Sequence, residues 1–145
     1  WTRWATSLGG NLAGSMSPRE AFAATGLGSN RFDEVVGSIR RDVDGIVNSF
    51  TEDGEFRNAK GPDYWGQSFK GKAAIRSYFE PLFANTGDVK WLHTSEFVCG
   101  NRAVTEWHRT ATLKTGERQE WLGCDLYTFR RGLIVMKDTY IKVVV

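Results

Sequence analysis

Hydrophobic positions along the chain follow two different periods. Up to about residue 88 apolar side chains recur at helical spacing, and beyond it β-branched and aromatic residues fill four segments split by short turns. Ser17-Pro18-Arg19-Glu20 reads as a helix start, with a capping serine, proline at the first position and acid in the first turn. Thr25-Gly26-Leu27-Gly28 ends that helix. Ser29 or Asn30 then caps a second, in which Phe32, Val35, Val36 and Ile39 share a face. Asp42-Val43-Asp44 opens a short third helix running to about Phe50, residues 51–54 are expected to turn, and Glu55-Phe56-Arg57-Asn58 to form a short strand. Gly61, Pro62 and Gly66 make residues 59–67 a loop. Ser68-Phe69-Lys70-Gly71 leads into a helix from Lys72 to about Asn85, with Ile75, Phe79, Leu82 and Phe83 on one stripe and Pro81 expected to bend it.

The four strands are expected at 89–99, 102–113, 119–129 and 133–145, joined at Gly100-Asn101, Thr115-Gly116 and Arg130-Arg131-Gly132. A meander of long antiparallel strands behind a helical layer is an α+β architecture.

The size, 145 residues, is that of one domain. Residues 1–16 read as a tail, either foreign sequence ending in Gly14-Ser15-Met16 or a natural extension that packs Trp1 and Trp4, and 17–145 as a single domain. With 41% apolar and 25% charged residues the composition is globular. A net charge of +2, with no Lys/Arg run beyond two, argues against nucleic acid or membrane as partner. Two cysteines, Cys99 and Cys124, suit a reducing compartment, so a cytoplasmic location is expected. No stretch approaches the ~18 apolar residues of a membrane span.

Three stretches resemble the nuclear transport factor 2-like superfamily, which includes SnoaL-like polyketide cyclases, ketosteroid isomerases and limonene-epoxide hydrolases. The stretch from Asp42-Val43-Asp44 through Phe50 and Asp53 to Phe56 is similar to the family's helix running into its first strand. Phe69-Lys70-Gly71-Lys72-Ala73-Ala74-Ile75 resembles a helix entry, and Asp125 to Ile134 with Asp138-Thr139-Tyr140 a closing hairpin. The likeness spans roughly residues 29 to 143. It implies a curved antiparallel sheet wrapped around N-terminal helices to form a cone-shaped pocket.

Register places the candidate chemistry. A two-residue Thr115-Gly116 turn sets Glu106 opposite Asp125; a two-residue Gly100-Asn101 turn sets His93 beside His108 and Ser95 beside Glu106. A three-residue turn at Arg130-Arg131-Gly132 sets Lys137 opposite Asp125. One face then carries His93, Ser95, Glu106, His108, Asp125, Tyr127, Lys137 and Thr139, and the other Trp107, Leu122, Cys124, Leu126, Met136 and Tyr140. The resemblance implies that the first set faces the pocket and that two copies pair through the second as a homodimer. A one-residue slip in any turn would reverse these assignments.

By the same resemblance Asp125 stands where ketosteroid isomerases keep the acid that donates to a developing oxyanion. Glu106 and His108 stand where epoxide hydrolases keep an arginine and an aspartate, and Asn58 where they hold a water-positioning asparagine. Asn58 also replaces the isomerases' base, Glu34 their oxyanion tyrosine, and Phe56 and Thr139 the tyrosine and aspartate around the hydrolases' water. The SnoaL-like pattern of a histidine and an aspartate on sheet strands fits best, filled by His108 and Asp125.

Two facing carboxylates in an apolar pocket share a proton, leaving one an acid and the other a base. Lys137 beside Asp125 opposes this, and a plain ion-pair ladder of Glu106, Asp125 and Lys137 is the competing reading. His108, with an ordinary pKa of ~6.5, is the candidate proton shuttle. Asn58, Phe56, Trp91, His93, Trp121, Tyr127, Lys137 and Thr139 are the expected substrate contacts, and Tyr64 and Trp65 are placed to close the mouth. No spacing suits a metal, and no cofactor is expected. Together these features lead to a cofactor-independent acid–base enzyme of cyclase, isomerase or dehydratase type, acting on an apolar, carbonyl-bearing, polyketide- or terpenoid-like molecule. The alternatives are a non-catalytic binding or association module and an epoxide hydrolase-like activation of water.

Overall fold

The computed structural model describes residues 42–144. The tail, the domain start at 17, both helices expected before Asp42, and Glu34 lie outside the described residues.

Helix α1 (Val43–Asn48) starts where the Asp42 side chain accepts the Gly45 N–H at 2.9 Å. It ends at Ser49, whose hydroxyl donates to the Gly45 and Ile46 carbonyls. Strand β1 (Phe50–Arg57) begins at once, so residues 51–54 are strand and not the expected turn. Pairing explains this: Ile134 N–H donates to Ser49 O at 2.8 Å and Phe50 sits opposite Ile134, with a register shift before Glu55. Long-range contacts override the local turn propensity of Glu52-Asp53-Gly54.

After the loop, β2 (Ser68–Lys70) pairs antiparallel with β1, Phe69 facing Phe56, a strand that local pattern does not reveal. Gly71, at φ +78, turns the chain into α2 (Gly71–Asn85), which buries Ile75 and Phe79. Pro81 lies inside this helix without ending it.

The meander follows as β3 (Thr86–Cys99), β4 (Arg102–Leu113), β5 (Arg118–Arg130) and β6 (Leu133–Ile141). Strand order is β2-β1-β6-β5-β4-β3, and β1 runs parallel to β6. The sheet is therefore mixed where an antiparallel one was expected, and the class is α+β with a curved six-stranded sheet. Ile46, Phe50, Phe56, Ile75 and Phe79 pack against Tyr127, Phe129 and Ile134 of the sheet. Among the described residues no helix is long and apolar enough to cross a membrane.

The turns decide which side chains face that core. Gly116, at φ +89, closes a three-residue turn, its N–H donating to Leu113 O at 2.9 Å while Leu113 N–H donates to Glu117 O. This loop is one residue longer than expected, and β4 slips by one against β5: Thr105, not Glu106, lies opposite Asp125. Every side chain of β4 thereby changes face. A bulge at Thr94 then returns His93 to the inner side, opposite Trp107 and not His108, while Ser95 stays with Glu106 on the outer face. Between β5 and β6 the turn is the two-residue Arg131-Gly132, both at positive φ, and a further irregularity at Thr128/Phe129 follows. Together these shift the pairing by two, so Lys137 faces Tyr127 and Thr139 faces Asp125, but both keep their side.

Candidate active site

A cavity of about 90 Å³ lies between the inner face of the sheet and the two helices. Its walls are mostly aromatic: Phe56, Phe79 and Phe83 on one side, Trp91, Trp107 and Trp121 on the other. Gly123 makes room for one of them. A Cβ there would sit 2.6 Å from the Trp107 indole, so only glycine lets that ring lie over β5.

Asp125 is the polar centre. It is 1% exposed, and its row across the sheet runs Glu96, Thr105, Asp125, Thr139. Thr139 Oγ1 donates to Asp125 Oδ1 at 2.6 Å and Lys137 Nζ lies 3.0 Å from the same oxygen. The Tyr127 hydroxyl donates to Oδ2 at 3.3 Å. Lys137 also sits 5.1 Å above the Phe56 ring, so an apolar wall covers its ammonium.

The surrounding groups respond to burial. Tyr127 is held well above the ordinary phenol range by desolvation, with Asp125 adding to the effect. Desolvation also raises the Tyr78 phenol, against the lowering pull of Arg109. His93 is pulled below its ordinary value by desolvation, partly countered by Asp125 and reinforced by Lys137. Arg109 is likewise lowered by burial. Tyr78 donates to Asn58 Oδ1 at 3.3 Å and so orients that amide at the cavity wall.

The structure brings together Asp125, Asn58, Phe56, Trp91, Trp121, Tyr127, Lys137 and Thr139 around the cavity. His93 shares their face through its pairing with Trp107. It does not bring in His108 or Glu106. Both point to the outer face, where His108 Nε2 lies 2.7 Å from Glu120 Oε1 and Glu106 pairs with Cys124. The one-residue slip at Gly116 is the cause. Trp107, expected outside, is 3% exposed inside. Tyr64 and Trp65 lie tilted against each other, 89% and 64% exposed, and do not line the cavity. Both cysteines are free, and desolvation pushes the Cys124 thiol up. Among the described residues no group of three His, Cys, Asp or Glu side chains is placed to hold a metal.

Sequence reasoning missed Arg109, Trp107 and Tyr78. One signal was available: a glycine inside a long strand, Gly123, marks a close approach, and the large residue it accommodates is Trp107. That sets the phase of β4 and turns Arg109 inward.

The family model for the SnoaL-like domain matches residues 30–136. No curated protein matches the chain. Among solved structures, an NTF2-like protein of unknown function from Burkholderia pseudomallei is 16% identical with a TM-score of 0.66, over 88% of this chain and 92% of that one. SalBIII, an epoxide hydrolase/cyclase-like enzyme with a role in pyran ring formation in the polyether salinomycin, is 22% identical at TM-score 0.65, over 79% and 92%. An LEH-like epoxide hydrolase from M. tuberculosis is 12% identical at TM-score 0.65, over 82% and 84%. With more than half of its length matched by the family model, this chain belongs to the SnoaL-like domain family, and its curved sheet on helices around an aromatic cavity is the NTF2-like fold.

Proposed function

We propose that the protein is a small-molecule acid–base enzyme of the cyclase, isomerase or dehydratase type, with Asp125 as the proton acceptor. The observation that carries this reading is a carboxylate 1% exposed at the wall of an aromatic cavity. With three donors turned on it, from Lys137, Thr139 and Tyr127, that carboxylate accepts and does not donate. Its role is thus a base taking a proton from a carbon beside a carbonyl. The developing oxygen is met by the Lys137 ammonium, which has three N–H donors and spends two of them on Asp125 and Thr139. His93, neutral at pH 7 because burial lowers it and on the same face of the sheet as Trp107, is the candidate to carry the proton onward. The apolar walls suit a polyketide- or terpenoid-like carbonyl compound. Family membership and the cyclase-like and epoxide hydrolase-like neighbours support enzyme chemistry of this kind.

The test is deuterium exchange in D2O at the carbon next to the carbonyl of a panel of cyclic ketones, read by mass spectrometry. The wild type is expected to accelerate exchange for at least one member, and Asp125→Asn to lose at least about 100-fold of that, the usual scale for a positioned base. No acceleration across the panel overturns the reading in favour of a binding module. One observation favours that alternative: the Lys137–Asp125–Thr139 network already satisfies itself without a ligand.

A further inference from the structure

Arg109 is a second charged group at the cavity wall, 2% exposed. Unlike Lys137, it forms no ion pair with a carboxylate among the described residues. Its one side-chain hydrogen bond there is long, from Nη1 to Gln119 Oε1 at 3.4 Å. Its guanidinium carbon lies 4.5 Å from the centre of the Trp121 ring and 5.6 Å from that of Trp91. These three residues form one cross-strand row, Trp91, Arg109, Trp121. Indole faces hold a guanidinium without consuming its in-plane N–H donors, which are left for another acceptor. An arginine cannot shed its charge on burial. The described cavity therefore contains a neutralised pair, Lys137 with Asp125, and one positive charge without a counter-ion.

We propose that the substrate is an organic acid, its carboxylate held bidentately by Arg109 and its flat apolar body lying against Trp91, Trp107 and Trp121. Geometry sets the direction. Arg109 is four residues along β4 from Thr105, which faces Asp125, and four residues of strand span about 13 Å. Trp107 stands between them on the same face. A ligand anchored by its acid at Arg109 therefore lies along β4 past the Trp107 ring toward Asp125. The inference rests on the acid–base reading for what happens at that far end, and on Arg109 alone for the anchor.

Three carboxylates and their amides test it: benzoate, 2-naphthoate and 4-biphenylcarboxylate against benzamide, 2-naphthamide and 4-biphenylcarboxamide. Binding is followed by quenching of tryptophan fluorescence and by calorimetry. At least one acid is expected to bind the wild type about tenfold more tightly than its amide, equivalent to about 1.4 kcal/mol. Arg109→Gln should remove that preference, and Arg109→Lys should retain part of it. If no acid outbinds its amide, the inference is overturned, and this comparison needs no variant to fold. Acid preference that survives Arg109→Gln also overturns it. The assay involves no turnover, so its failure leaves the exchange experiment on Asp125 standing. Conversely, a failed exchange experiment leaves the anchor intact.

Discussion

Lys137 Nζ and Asp125 Oδ1 lie 3.0 Å apart with side chains only 17% and 2% exposed, so each charge is buried on the strength of the other. Removing one partner of such a pair strands the other in a low-dielectric site. Lys137→Met is expected to destabilise the fold by about 3 kcal/mol, measured by urea denaturation. The double variant Lys137→Met/Asp125→Leu should recover much of the loss. A double variant no more stable than the single would show that the pair is not what holds this region.

Gly123→Ala tests the packing that shapes the cavity. The new methyl would press on the Tyr140 backbone carbonyl oxygen and meet the Trp107 indole at 2.6 Å, and that ring has sheet on one side and cavity on the other. Overpacking of this kind costs about 1–3 kcal/mol. A lowered denaturation midpoint with shifted tryptophan emission is the expected result.

His93 gives a pH signature with a definite sign. Its folded-state pKa lies below the ordinary 6.5, with burial the leading cause. The unfolded chain therefore binds the proton more readily, and stability falls as pH drops below about 6.5 toward the folded value. His93→Gln should flatten that part of the stability-against-pH curve. The same shift keeps the imidazole neutral at pH 7, so a wild-type rate profile should lose activity on its acid side while His93→Gln loses that limb.

His108→Ala should leave both ligand binding and exchange chemistry within twofold of wild type. Its imidazole faces outward to Glu120, and the two side chains are 32% and 71% exposed. Exposed pairs of this type contribute about 0–1 kcal/mol. A large loss of activity would show that the outer face takes part.

Gly100, Gly116 and Gly132 sit where the sequence expects the chain to reverse, each at positive φ, and β4 has the expected bounds. Those features are local. A period-two pattern and a residue able to adopt left-handed backbone are written in a few neighbouring positions, and the α+β class follows from their order. Asp125 and its aromatic surroundings were recognisable on the same grounds. The side of the sheet that each strand presents was not. It depends on whether Lys114 belongs to the turn after β4, on the bulge at Thr94 and on the one at Val135, and these arise from pairing between distant segments. A single residue in a turn exchanges the two faces of a strand, so Glu106 and His108 traded places with Trp107 and Arg109. Local pattern settles what each segment is. Which of its faces meets the cavity is settled only when the strands lock together around the helices, because the energy of burying Trp107 over Gly123 exists in the assembled sheet alone.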